Sequence, residues 1–488
     1  MGIPRPSDPG PIVSDPGPSD RRPSDRIGPA SWARAHDELV EHLRALIRIP
    51  SVNPPGDEIG AARYVADVLE QAGVRATVVE PFPGRGSVVA RLRGDGSGGG
   101  PLLLLSHLDV VPAPLAGWTH DPFGGEVDGG YVWGRGALDM KGMVAMELAV
   151  LRQLAAEARA AGLDPASDPI PGLRRDVLFA STADEEAGGH AGIGWLVEHH
   201  PDWLQADGAL NEAGGVSVEF AGHRFYPIQV AEKGFVRYLI TVHGTWGHGS
   251  MPREDNAAVR AAAVVSRLAV PGPSQLTPAV ARALERIAAA LPAAAARHIR
   301  AIASPDRRIS EAALDALCEP AFGRAARALL RDTVSPNIIR AGLKYNVIPG
   351  VAEVELDVRT LPGTDEATFR EQLRDLLDEE LRAVVEIEPV LIGQPVEAPI
   401  DSPLYELLER TIVAHDPEGI PLPILAPFAT DAKHTIRLGI PTYGFSPLRL
   451  RPEDRFLELF HGDDERVSLA ALRFGLPVLY DVVRGFCA

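Results

Sequence analysis

The chain has 488 residues and only two cysteines, Cys318 and Cys487. Two thiols cannot build a disulfide framework, so both read as single buried thiols in a reducing compartment. Long apolar runs are also missing. No uncharged hydrophobic stretch approaches the roughly 18 residues that a membrane-crossing helix needs, and residues 1–30 lack the apolar centre of a signal peptide. Positive charge is scarce: 48 Lys and Arg face 66 Asp and Glu, a formal net charge of −18. With no basic run, nucleic acid and anionic membrane surfaces are not expected partners. A soluble cytoplasmic enzyme is the expectation.

At 45% hydrophobic and 23% charged residues, the composition is that of a globular protein of two or three domains. Residues 1–30 repeat PSD and DPG and carry too little apolar area to offset their ordering entropy, so this segment is expected to be disordered. From Ser31 onward a helical period appears, with Leu39, Leu43, Leu46 and Ile47 on one stripe. The pattern then alternates strands with helices. Strands are expected at 74–80, 87–92 and 102–105, and again at 176–182 and 208–211. Long helices are expected at 141–161 and 193–200. After Glu232-Lys233-Gly234 the character changes to alternating strands (236–242, 335–340, 347–358, 384–392) with helices at 256–268 and 365–381 and an Ala-, Leu- and Arg-rich stretch at 275–332. The expected fold is α/β. Residues 31–232 and 394–488 form a catalytic domain with a central mixed sheet flanked by helices, and residues 233–393 form an inserted α+β lid.

Three short apolar segments end in side chains able to bind metal. LLLLSHLD delivers His107 and Asp109, LFASTADEE delivers Glu185 and Glu186, and GALNE delivers Glu212. In open α/β sheets, ligands bind beyond the carboxyl ends of the strands, so three such ends in one βαβ pattern make a site. The Gly-rich GRGALDMKG turn adds Asp139, and HGDDER adds His461. Imidazole and carboxylate without thiolate suit Zn²⁺, with Co²⁺ and Mn²⁺ open. Two His and three acids hold two ions if one acid bridges. One of the adjacent Glu185 and Glu186 would then bind metal and the other would act as base, with Asp109 fixing the His107 tautomer.

The segments SHLDVVPA, WGRGALDMKG, ADEEAGG, LNEAGG, HGTWGHGSMP, NVIPGVAEVELDVRTLPG, TDAK and HGDDERV run in order over about residues 35–486. Together they resemble the dinuclear zinc amidohydrolase and exopeptidase family. That family includes aminoacylase, acetylornithine deacetylase, succinyl-diaminopimelate desuccinylase, glutamate carboxypeptidase and carboxypeptidase S. The resemblance implies that His107 and Glu212 bind one ion, Glu186 and His461 the other, and Asp139 both. It makes Glu185 the general base and Asp109 the orienter of His107. It further implies a zinc exopeptidase-like fold and a homodimer formed through the lid, whose His248 reaches the partner's site. Asn346, Arg359 and Lys433 would hold substrate, Lys433 standing where aminoacylase-like members carry Arg in TDxR. Two departures are visible: Asn211-Glu212-Ala213 replaces D-E-G, and Gln394 rather than Arg precedes Pro395. The implied activity is hydrolysis of an amide in an N-acyl amino acid or short peptide, next to a carboxylate. The alternative is a non-catalytic relative that binds amino-acid-like ligands or protein partners. A phosphoesterase would need a basic cluster or phosphate loop beside these acids, and the sequence has neither.

Overall fold

The computed structural model describes residues 22–270, 272–316, 326–454 and 456–488. Its centre is a ten-stranded mixed sheet. The strand Leu102–His107 runs parallel to Val177–Thr182 on one side and to Gly208–Asn211 on the other. Beyond Val177–Thr182 the sheet continues through the antiparallel strands Arg85–Leu92 and Ala76–Phe82. The leucine run follows from burial on both faces. Leu102 and Leu104 enter the larger core cluster while Leu103 and Leu105 enter a second one on the opposite face, as the two-residue period of a strand requires. The larger cluster takes the apolar stripes of helices Pro29–Ile47, Ile59–Gln71, Lys141–Ala160 and Leu469–Cys487. The second takes helix Ile193–His199.

Within residues 233–393 a separate four-stranded antiparallel sheet has its own core. Val236, Tyr238, Ile240 and Val242 alternate inward from strand Gly234–His243 and pack under helices Ala257–Leu268 and Glu366–Asp375. The helix expected at 365–381 is interrupted: Asp378 accepts from the Leu381 amide and starts a second short helix, Glu379–Arg382.

The boundaries differ from the sequence-based division in two places. Residues 22–30 of the expected tail are folded. Ser24 is buried and donates through its backbone N and its Oγ to Asp481 (2.6 Å each), Pro23–Arg26 forms a 3₁₀ turn, and the first long helix begins at Pro29. Residues 1–21 lie outside the described residues. Helices Pro278–Ala290, Ala293–Ile302 and Arg307–Asp315, inside the expected insert, pack on the core of the ten-stranded sheet rather than on that of the four-stranded sheet. Ala279, Ala288, Ile299 and Leu314 join the large core cluster, and Arg286 reaches the Pro421 carbonyl and Glu409. Pro278–Ala290 packs on Gly419–Ala426, a strand that, among the described residues, pairs with His223–Glu232 alone. Pro421 and Pro423 hid this strand from periodicity, and such prolines are tolerated at a sheet edge. Cys487 is a buried free thiol; Cys318 lies outside the described residues.

Glu147, on helix Lys141–Ala160, is fully buried under the sheet. One carboxylate oxygen accepts from Ser106 (2.6 Å) and the other has no partner. Burial pushes its carboxyl from an ordinary 4.5 up to about 8. The folded chain therefore keeps a proton that the unfolded chain releases, and stability falls as pH rises from about 4.5 through about 8. Glu147→Gln is expected to be neutral near pH 4.5 and stabilising by on the order of a few kcal/mol at pH 9. Urea unfolding of both proteins at the two pH values checks this; an equal difference at both would contradict it.

Candidate metal centre

The parallel strands deliver their ends to one edge. His107 is the last residue of its strand, Glu185 and Glu186 follow Val177–Thr182, and Glu212 follows Gly208–Asn211. Asp139 arrives from the turn before helix Lys141–Ala160, and His461 from the loop before the C-terminal helix. Four described residues at these loops are non-glycine residues in the left-handed region: Asp184, Ala213, His461 and Asp464, at φ 76, 70, 56 and 58. Each such residue costs on the order of 1 kcal/mol and persists because surrounding contacts hold it.

Two triads result. His107, Asp139 and Glu212 bring ligand atoms within 4.8 Å of one another, and so do Asp139, Glu186 and His461. Asp139 is common to both: its Oδ1 lies 3.2 Å from His107 Nε2 and its Oδ2 lies 3.1 Å from His461 Nε2. Glu212 closes the first triad at 3.6 Å from His107 Nε2, and Glu186 the second at 3.3 Å from His461 Nε2. The cluster carries excess acid. Burial pushes the Glu212 carboxyl up to about 8. Hydrogen bonds to the Asp139 and Glu186 carboxylates raise His461 to about 10. Burial opposes the charge on His107, but Glu212, Asp109 and Asp139 outweigh it and hold its pKa well above the usual range.

Divalent ions fit this donor set. The donors are imidazole nitrogens and carboxylate oxygens, and Glu186 Oε1 is buried without a partner.

The remaining sequence-predicted residues divide into two groups. Glu185 belongs to neither triad. It lies in a 3₁₀ turn, Glu185–Ala187, and its carboxylate is 3.7 Å from Lys433 Nζ. Burial and then the Glu212 charge raise its pKa well above the usual carboxylate range. Lys433 also donates to the Thr430 carbonyl. Asp109 does more than orient His107. His107 Nδ1 bonds the Asp109 carbonyl at 3.0 Å, while the carboxylate accepts the backbone amides of Glu185 and Glu186 at 3.1 and 3.0 Å and Asn53 Nδ2 at 2.8 Å. It therefore pins the turn carrying the two glutamates.

His248, Asn346 and Arg359 lie within residues 233–393. His248 is exposed, bonds Ser250 and pairs across a short bridge with Val347 next to Asn346. Arg359 pairs with Asp357 at 2.8 Å and lies over the Phe235 ring. Among the described residues, no hydrogen bond or ion pair joins these three to the ligand cluster. Sequence reasoning missed Arg135, Glu465, Asn53 and Asp431, whose partners are backbone groups or residues distant in sequence. Asn211, which replaces the usual Asp, donates to Thr430.

Residues 103–485 match the model of peptidase family M20/M25/M40. The chain belongs to this family. The M20 relatives include the N-fatty-acyl-amino acid synthase/hydrolase PM20D1 of Bos taurus, 26% identical over 91% of this chain and 87% of that protein. They also include the succinyl-diaminopimelate desuccinylase of Methylorubrum extorquens strain PA1, 36% identical over 43% of this chain and 51% of that protein. Among solved structures, the M20 family metallo-carboxypeptidase Sso-CP2 from Sulfolobus solfataricus superposes with a TM-score of 0.66 at 19% identity, covering 92% and 99% of the two chains. Human carnosine dipeptidase 1 superposes at 0.59 and 18% identity, covering 94% and 98%. The chain is thus an M20 metal-dependent hydrolase with a mixed sheet flanked by helices.

Proposed function

We propose that this M20 hydrolase cleaves an amide next to a carboxylate, in an N-acyl amino acid or a short peptide. The observation that carries the reading is the division of labour among the acids. Asp139 offers one oxygen to each triad, while Glu185 stands outside both beside Lys433. When bound, two divalent ions, taken here as Zn²⁺, supply Lewis-acid activation of water and of the amide carbonyl. His107 and Glu212 would hold one, Glu186 and His461 would hold the other, and Asp139 would offer one oxygen to each. Glu185 takes the proton of the attacking water and passes it to the leaving nitrogen, and Asp109 keeps the Glu185–Glu186 turn and the His107 ring in place. In a homodimer, the exposed His248 of one copy donates to the oxyanion forming in the other. Asn346, Arg359 and Lys433 bind the substrate carboxylate. No helix among the described residues is long and apolar enough to cross a membrane; a cytoplasmic site of action is part of the proposal.

The test is a paired panel offering each amino acid as its N-acetyl derivative and as a dipeptide, with the C-terminal carboxylate free or amidated. The expected result is cleavage only with the free carboxylate, at least about tenfold above the amide. Equal cleavage of both forms would overturn the carboxylate requirement.

A further inference from the structure

We propose that Arg135 and Glu465 form a buried clamp that holds the bridging Asp139 and the ligand His461 in register, so that the second ion site depends on a pair that touches neither ion nor substrate. The inference rests on the two-metal reading above and adds positioning residues to it. Glu465 Oε2 accepts from Arg135 NH1 at 2.7 Å and from the Gly136 amide at 3.1 Å. Its Oε1 accepts the amides of Leu138 and Asp139 at 2.7 and 3.1 Å. One carboxylate thus gathers the backbone of the turn that ends at the bridging ligand. Arg135 runs the other way, its NH2 donating to the His461 carbonyl at 3.2 Å. Each ligand's segment supplies one member of the pair and is gripped by the other.

Both charged side chains are essentially buried, 2% and 0% exposed. A buried ion pair of this kind is poor value as a stabiliser, since its desolvation offsets its attraction. What it provides is fixed geometry, through the planar fork of arginine and a carboxylate saturated with donors. The two sites need that help unequally. His107, Asp139 and Glu212 are all buried and seated on strand ends or a buried turn. The His461 side chain is 52% exposed and its backbone is in the left-handed region. Its loop is held to the body by Arg135, by the Gly134 amide bond to the Glu465 carbonyl, and by Asp464 bonds to Thr119. The first site shares Asp139 with the second but keeps two ligands the clamp does not touch, so loosening the clamp weakens the Asp139–Glu186–His461 site more than the His107–Asp139–Glu212 site, whereas general destabilisation would weaken both alike.

The experiment is a calorimetric Zn²⁺ titration of metal-free full-length protein, with circular dichroism of the same samples. Wild type is expected to take two ions per chain. Glu465→Gln, folded by circular dichroism, is expected to bind one ion within about threefold of wild-type affinity and the other about 10–100-fold more weakly. Arg135→Lys keeps the charge but cannot reach Glu465 and the His461 carbonyl with one rigid fork; it is expected to show the same split, and it carries the test if Glu465→Gln does not fold. Two ions at wild-type affinity in the variants, or equal weakening of both sites, would overturn the clamp alone. Fewer than two ions in wild type would overturn the two-metal reading and the clamp with it.

Discussion

Glu185→Gln is expected to retain both ions and to lose about 10²–10⁴-fold in kcat, the range that a positioned general base contributes. Glu185 lies outside both ligand triads, so its amide should leave metal binding intact. Burial and the neighbouring Glu212 raise its affinity for a proton, as a base that must accept one requires. Its neighbour provides the control. Glu186 is within 3.3 Å of His461 and Glu185 is not a member of that triad, so Glu186→Gln should lose an ion as well as activity. Metal analysis and steady-state kinetics on both variants check the assignment. Near-wild-type turnover in Glu185→Gln, or loss of an ion from it, would contradict it.

Asp139→Ala is expected to lose both ions and to bring turnover below detection, because its two oxygens serve one triad each. Removing Glu212 should vacate only the first site, since that residue belongs to one triad. The difference can be read without substrate. Ions bound to the folded state stabilise wild type by about 2.7 kcal/mol per site at a concentration of 100 Kd. Asp139→Ala should show no metal-dependent rise in its unfolding midpoint, and Glu212→Ala roughly half the wild-type rise. A full rise in Asp139→Ala would mean that Asp139 does not bridge.

The candidate ligands are legible because most sit where sequence periodicity marks a strand end or a glycine turn. LLLLSH shows a strand buried on both faces that stops at His107, and the structure puts Leu102 and Leu103 into opposite clusters. The base could be narrowed to Glu185 or Glu186 from the residues, and only the family resemblance chose between them. Arg135 and Glu465 were not legible: they are 330 residues apart, and most of the bonds they make go to backbone, which leaves no pattern in side-chain type. The docking of the 278–315 helices was hidden for a related reason. An amphipathic helix announces that it has an apolar face but not which surface the face meets. Ser24 shows the limit of composition. Its segment has too few apolar residues to fold alone, yet Asp481 and the core around Trp32 order it.

The most direct test of the central claim is to restore amide hydrolysis to the metal-free enzyme by stepwise addition of Zn²⁺, recording activity against equivalents per chain. Activity that stays low through the first equivalent and reaches its plateau at the second is the result that a centre bridged by Asp139 predicts. A plateau at one equivalent, or hydrolysis that persists after the ions are removed, would contradict it.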